Sequence, residues 1–172
     1  MKKFILFLSL IVVSGCGYST GSLLPSNYHT ISIDAFKNKI GYLNENNREL
    51  YIPLLENKVH DAIVVRFQND GHLKVQRSGQ TDLMLKGDLV RFEREELRLN
   101  NDDQVTEYRL RITINMVLVD PTTDKEVWIE NSFAGEATYY LSGPQAKSES
   151  EALEAALTDL SRRVVERTLE NW

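Results

Sequence analysis

The stretch Gln104-Val105-Thr106-Glu107-Tyr108-Arg109-Leu110-Arg111-Ile112-Thr113-Ile114-Asn115-Met116-Val117-Leu118 decides the fold. Successive side chains of an extended strand point to opposite faces. Tyr108, Leu110, Ile112, Ile114, Met116 and Leu118 therefore share one face, and Glu107, Arg109, Arg111, Thr113 and Asn115 share the other. One dry face and one wet face is the pattern of an antiparallel sheet covered on a single side. Downstream, Asp120-Pro121-Thr122-Thr123-Asp124 carries turn chemistry, and Val127, Ile129 and Phe133 continue the meander. Upstream, residues 81–97 alternate through Leu83 and Leu85, and after Gly87 the apolar phase moves to Val90 and Phe92. A one-residue phase change beside a glycine predicts a bulge.

The cover for the dry face is legible in two amphipathic stretches. Leu55, Val59, Ala62, Ile63 and Phe67 recur at three- and four-residue spacing, with Pro53 suited to the first turn and Asn69-Asp70-Gly71 as the stop. Ser148 and Glu151 form a capping box, and Leu153, Leu157, Leu160, Val164 and Leu169 then make a stripe running towards Trp172. A short strand is expected from Thr30, where Ile31, Ile33 and Ala35 alternate with polar neighbours before Phe36, and another at Leu73 and Val75. Residues 37–50, with four asparagines and one glycine, read as a loop. If the two short strands pair in parallel, the helix between them is a crossover. The expected fold is α+β, a two-layer sandwich. Two helices pack on one face of a mixed, mainly antiparallel sheet of four to five strands, and the second face stays open.

At the other end of the chain, Lys2-Lys3 and an apolar run from Phe4 to Val13 precede Val13-Ser14-Gly15-Cys16. Ten helical residues reach roughly 15 Å, too short for a hydrocarbon core about 30 Å thick, so the run reads as a secretory signal and not as a span. Val-Ser-Gly-Cys matches a bacterial lipobox, in which the cysteine thiol takes a diacylglycerol and cleavage falls between Gly15 and Cys16. A plain signal with an incidental cysteine is the competing reading. No second cysteine exists for a disulfide. The expected division is a cleaved signal at 1–15, a lipidated cysteine and Gly/Ser-rich tether at 16–29, and one α+β domain at 30–172. Residue 17 is glycine, which under the enterobacterial sorting convention directs the lipoprotein to the outer membrane. After loss of Lys2 and Lys3 the side chains carry 18 positive and 25 negative charges, which speaks against a nucleic-acid binder.

No catalytic pattern emerges. His29, His60 and His72 lack metal-ligand spacing, there is no phosphate loop or nucleophile elbow, and neither metal nor cofactor is expected. Glu93, Glu95 and Glu96 interleave with Arg91, Arg94 and Arg98, which reads as a solvated strand face. The chemistry that stands out is arginine on the wet face. Arg109 and Arg111 lie side by side there, and their forks suit phosphate or carboxylate. Pairing with Glu107, Glu93 or Glu95 along and across strands is the alternative.

The order of parts then resembles a known family. Cys16-Gly17-Tyr18 opens the mature chain and a strand-helix-strand unit comes after it. Gln104-Val105-Thr106-Glu107-Tyr108 next leads into the long strand, and a hairpin and a helix rich in Ala, Leu, Arg and Glu close the chain. Together these resemble LptE, the lipopolysaccharide-assembly lipoprotein of the outer membrane. The resemblance implies two helices on a sheet of four strands or slightly more, and no catalysis. It implies a plug inside the LptD β-barrel that assists barrel assembly and binds lipopolysaccharide on its way to the cell surface. It also makes Lys147 the counterpart of a basic position ahead of the last helix. A second basic position of the family, in the turn before Gln104, falls here among Asn100, Asn101, Asp102 and Asp103. The chain departs there, and Arg98 is the nearest basic residue. Lys147, Arg98, Arg109 and Arg111 are thus the candidate lipopolysaccharide ligands. A different outer-membrane lipoprotein, an adaptor that binds periplasmic proteins through an open sheet edge, is the alternative.

Overall fold

The computed structural model describes residues 24–25, 27–41, 52–77 and 79–170. Signal, cleavage site, Cys16 and Trp172 lie outside the described residues. In chain order the elements are β1 (Thr30–Ile33), β2 (Lys37–Asn38), α1 (Leu55–Asp70), β3 (Lys74–Val75), β4 (Leu83–Leu99), β5 (Val105–Asp120), β6 (Lys125–Tyr140) and α2 (Glu149–Glu170). The sheet runs β3-β1-β4-β5-β6, with β2 on β4 beyond the end of β1. β1 is parallel to β3 and to β4, β2 is parallel to β4, and the three long strands are antiparallel. The sandwich is as expected, with six strands in place of four to five. The extra one is β2, two residues that line up with Asp88 and Leu89 inside the expected loop. Two residues carry no alternation to read.

The apolar face of β5 is buried as its pattern demands, with Leu110, Ile112, Ile114 and Leu118 wholly inside and Met116 nearly so. Both helical stripes close over the same face. Leu55, Val59, Ile63 and Phe67 of α1, and Leu153, Leu157, Leu160, Val164 and Leu169 of α2, join β5 in one cluster. Burying each such side chain contributes roughly 1.5–3 kcal/mol. At the start of α2 the capping box is made. Ser148 N–H and Oγ each donate to Glu151 Oε2 at 2.8 Å, and Glu151 N–H donates to Ser148 Oγ at 3.2 Å. At the end of α1, Gly71 takes φ 81° and returns its N–H to the Phe67 carbonyl. Pro53 falls before α1 and not in its first turn. Leu54, at φ 58°, reverses the chain there, and its carbonyl accepts from the N–H groups of Asn57 and Lys58.

The bulge expected beside Gly87 is present on β4, centred on Val90, and two further bulges shift the phase of β6. On β4 the core phase runs Leu83, Leu85, Gly87 and Leu89, and the extra residue is Val90, which lets Phe92 rejoin the core. Gly87 keeps the phase for another reason. A Cβ there would lie 2.2 Å from the Phe36 ring, which fills the space. On β6, Val127 is the extra residue of one bulge and still packs against the core, and Asn131-Ser132 together face Asn115, so the core side continues through Trp128, Phe133, Gly135, Ala137 and Tyr139. Ile129 stands on the open face, half exposed.

The chain enters the sheet at the end that holds the β5–β6 turn. Leu24 and Tyr28 pack against the core, and the Tyr28 hydroxyl donates to Asp120 at 3.5 Å. Asp82 Oδ2 accepts from the N–H groups of His29 and Thr30, both at 2.9 Å, and from the Thr30 hydroxyl at 2.8 Å. From this base, the 17 residues of β4 carry the sheet roughly 50 Å to its other end.

Candidate functional site

That far end is built from two adjacent loops. In the β4–β5 turn, Asn100 Oδ1 accepts from the N–H groups of Asp102 and Gln104 at 2.9 Å, and Asp103 takes φ 57°. The loop after β6 is tied beside it. Leu141 N–H donates to the Thr106 carbonyl and Lys147 N–H to the Tyr140 carbonyl, each at 3.1 Å. Leu99 and Leu141 are each 51% exposed and Leu97 is 40% exposed. Three leucines in water at one end of a sheet are unusual, and Lys147, tied to Tyr140, stands exposed at the same end. Its ammonium has no hydrogen bond or ion pair among the described residues and meets Glu151 only as a through-space charge.

The structure separates the four candidate ligands into two groups. Arg98 is at this end with Lys147, its Nε 3.5 Å from Glu107. Arg109 and Arg111 are lower, on the open face, where both lie between Glu95 and Glu136 at 3.0 to 3.8 Å. Two guanidiniums and two carboxylates there form a neutral cross-strand ladder. Glu95 is one of three carboxylates anticipated from the sequence, the other two, Glu93 and Glu107, lying instead against Arg91 and Arg98; Glu136 comes from β6 and was not anticipated. Such half-exposed pairs contribute up to about 1 kcal/mol each.

Sequence reasoning missed a cluster on the covered face, just below the far end. Arg94 NH1 donates to Glu149 Oε2 at 2.7 Å, and the Tyr139 hydroxyl donates to the same oxygen at 3.1 Å. The guanidinium lies 4.8 Å over the Tyr108 ring, and Tyr108 stacks on Tyr139 with centroids 5.8 Å apart. Burial works against the Arg94 charge, but the Glu149 hydrogen bond and charge outweigh it and raise its pKa. Burial first, and then Glu149, raise that of Tyr139, which keeps the hydroxyl a donor. One signal could have found it. Arg94 falls in the core-facing phase after Phe92, where a charge requires a partner.

Lower on the open face, a shallow depression of about 420 Å³ beside β2 holds Lys37, Lys39, Lys86, Asp34, Asp88 and Glu126. Its charges balance, and Lys39 is bound to Asp88 at 2.7 Å. Among the described residues no three histidine, cysteine or carboxylate side chains are grouped to hold a metal. No described helix is long and apolar enough to cross a membrane.

A family model described as LptE, lipopolysaccharide-assembly, matches residues 28–169. The chain belongs to the LptE family. Its match spans every element from β1 to α2 except the last residue of the helix. No curated protein is similar to it in sequence. Among solved structures, this LptE-family chain is similar to the protein XCC0632 from Xanthomonas campestris. The TM-score is 0.57 at 18% identity, over 86% of this chain and 87% of that one. It is also similar to the protein CT253 from Chlamydia trachomatis, with TM-score 0.55 at 10% identity, over 82% and 95% of the two chains. At such identities the likeness extends to the fold.

Proposed function

We propose that this LptE-family protein is a non-catalytic outer-membrane lipoprotein, held by acyl chains on Cys16 at the periplasmic face. In this reading it plugs an LptD-type β-barrel, assists the assembly of that barrel, and receives lipopolysaccharide at the far end of its sheet. The observation that carries the reading is the composition of that end: an ammonium at Lys147 with no hydrogen bond or ion pair among the described residues, at the same end of the sheet as exposed Leu97, Leu99 and Leu141. A phosphorylated glycolipid offers the matching pair, anionic phosphate and apolar chain. The neutral ladder of Arg109, Arg111, Glu95 and Glu136 supports the plug role, because the lumen of a large barrel is polar and a plug needs a hydrated surface without a strong net field. Arg98, paired with Glu107, is a second phosphate contact if the ligand displaces that carboxylate.

In vivo photocrosslinking from Asn101 and from position 147 tests this. Capture of lipopolysaccharide at both positions, with co-purification of the barrel, is the expected result. A lipoprotein isolated free of any barrel from cells that make both would refute the plug role. Crosslinks from both positions to proteins other than the barrel, without lipopolysaccharide, would refute the ligand role.

A further inference from the structure

Lys147 is held in place through its own backbone and the two residues C-terminal to it. Its N–H is bonded to Tyr140, Ser148 is locked in the capping box, and Glu149 receives both Arg94 and Tyr139 on one oxygen. Those two donors come from β4 and β6, and Tyr108 of β5 lies under the guanidinium. The first turn of α2 is therefore fastened to β4 and β6 at one carboxylate, and to β5 through the guanidinium. We propose that Arg94, Tyr139 and Glu149 form a positioning device that sets Lys147 against an anionic ligand and keeps its ammonium unpaired.

The charge balance supplies the second half of the argument. With Arg94 in place, the Glu149 carboxylate is neutralised and held against Arg94 and Tyr139. Without it, Glu149 would retain the Tyr139 hydroxyl alone, and its negative charge would stand two residues from the one cation at this end that has no partner among the described residues. Arg94 thus acts through Lys147 and touches no ligand itself. The inference rests on the reading that Lys147 meets a lipid phosphate.

The test uses the full-length lipoprotein purified in detergent with its barrel, and lipopolysaccharide of one defined chemotype as the probe. Lys147→Ala and Arg94→Ala are each expected to weaken binding about tenfold, the usual consequence of losing one charge-assisted contact. Arg94→Lys should restore most of the loss, and Tyr139→Phe, which removes one hydroxyl and leaves the ring packing, should weaken binding about threefold. The deciding measurement is the double variant. In the Lys147→Ala background, Arg94→Ala should cost nothing further. Wild-type affinity in Arg94→Ala, or an equal loss with and without Lys147, overturns the positioning role while leaving the ligand site standing. Wild-type affinity in Lys147→Ala overturns the ligand site and the inference with it. Should Arg94→Ala fail to accumulate, Tyr139→Phe in both backgrounds carries the same test.

Discussion

The sheet has two long edges, and they are closed in different ways. Along β6 the cover is α2. Asp159 accepts the outward Glu136 N–H at 3.1 Å, Arg163 donates to the Ala134 carbonyl and lies over the Phe133 ring, and Arg167 bonds Glu130 at 2.6 Å. Above them the Tyr140 carbonyl takes Lys147 N–H. Along β4, β1 and β2 reach only to Leu89, and from Arg91 to Leu99 no described strand pairs on the outer side. That length is guarded by Arg91, Glu93, Arg94, Glu95, Glu96 and Arg98, and by bulges at Val90 and Leu97. Covering and charging are alternative defences of an unpaired strand against foreign strands. The covered edge depends on packing, the charged edge on local sequence, so they should fail differently.

The largest effect should come from lifting the cover. A Cβ at Gly135 would lie 2.4 Å from Leu160 Cβ and 2.5 Å from its backbone, which cannot yield. Gly135→Val should cost about 3 kcal/mol or more, read as a lowered denaturant midpoint. An unchanged midpoint would mean that α2 does not hold β6 by contact.

Next comes the fastening of β1 against β4. Asp82→Ala removes three hydrogen bonds to one carboxylate oxygen and should cost about 2 kcal/mol. This contribution is also pH-dependent. The His29 N–H, then the Thr30 hydroxyl, hold the Asp82 carboxyl below its ordinary 3.8. A lowered folded pKa means stability that is complete above the unfolded value and lost as pH falls below 3.8 through the folded one. Thermal unfolding of the wild type should therefore fall more steeply than that of the alanine variant across this window, and parallel curves would dismiss the assignment.

A smaller loss, about 1 kcal/mol, is expected from Asp159→Ala, which bares one edge N–H. Its sharper readout is concentration-dependent association in light scattering, absent if the edge stays covered. The smallest effect belongs to the charged edge. Glu93→Val should change stability by less than about 0.5 kcal/mol and yet lower solubility. A large loss of stability there would show that this edge too is held by packing.

Much of this architecture was legible beforehand. The alternation of β5, both helical stripes and the Ser148–Glu151 box come from spacing alone, and each stands in the structure where it was expected. The β4 bulge was foreseen beside Gly87, but Val90 is its extra residue and not a core position, and Ile129 falls on the open face of β6, because a bulge is defined by two strands and one strand does not reveal which residue is extra. Likewise Arg109 and Arg111 announced a charged face, but their second partner, Glu136, lies 25 residues beyond Arg111 and met them only when β6 took its register.

What the sequence by itself determined is everything periodic or contiguous: which residues alternate, which recur with a helical turn, where caps and turns fall. Those depend on interactions within a few residues, whose geometry the backbone dictates. The tertiary structure decided which of the possible charge pairs form. Arg94 and Glu149 stand 55 residues apart and share no local pattern. Their contact exists because burial of two apolar stripes and one apolar sheet face brings the start of α2 over β4, leaving each charge no better partner there than the other.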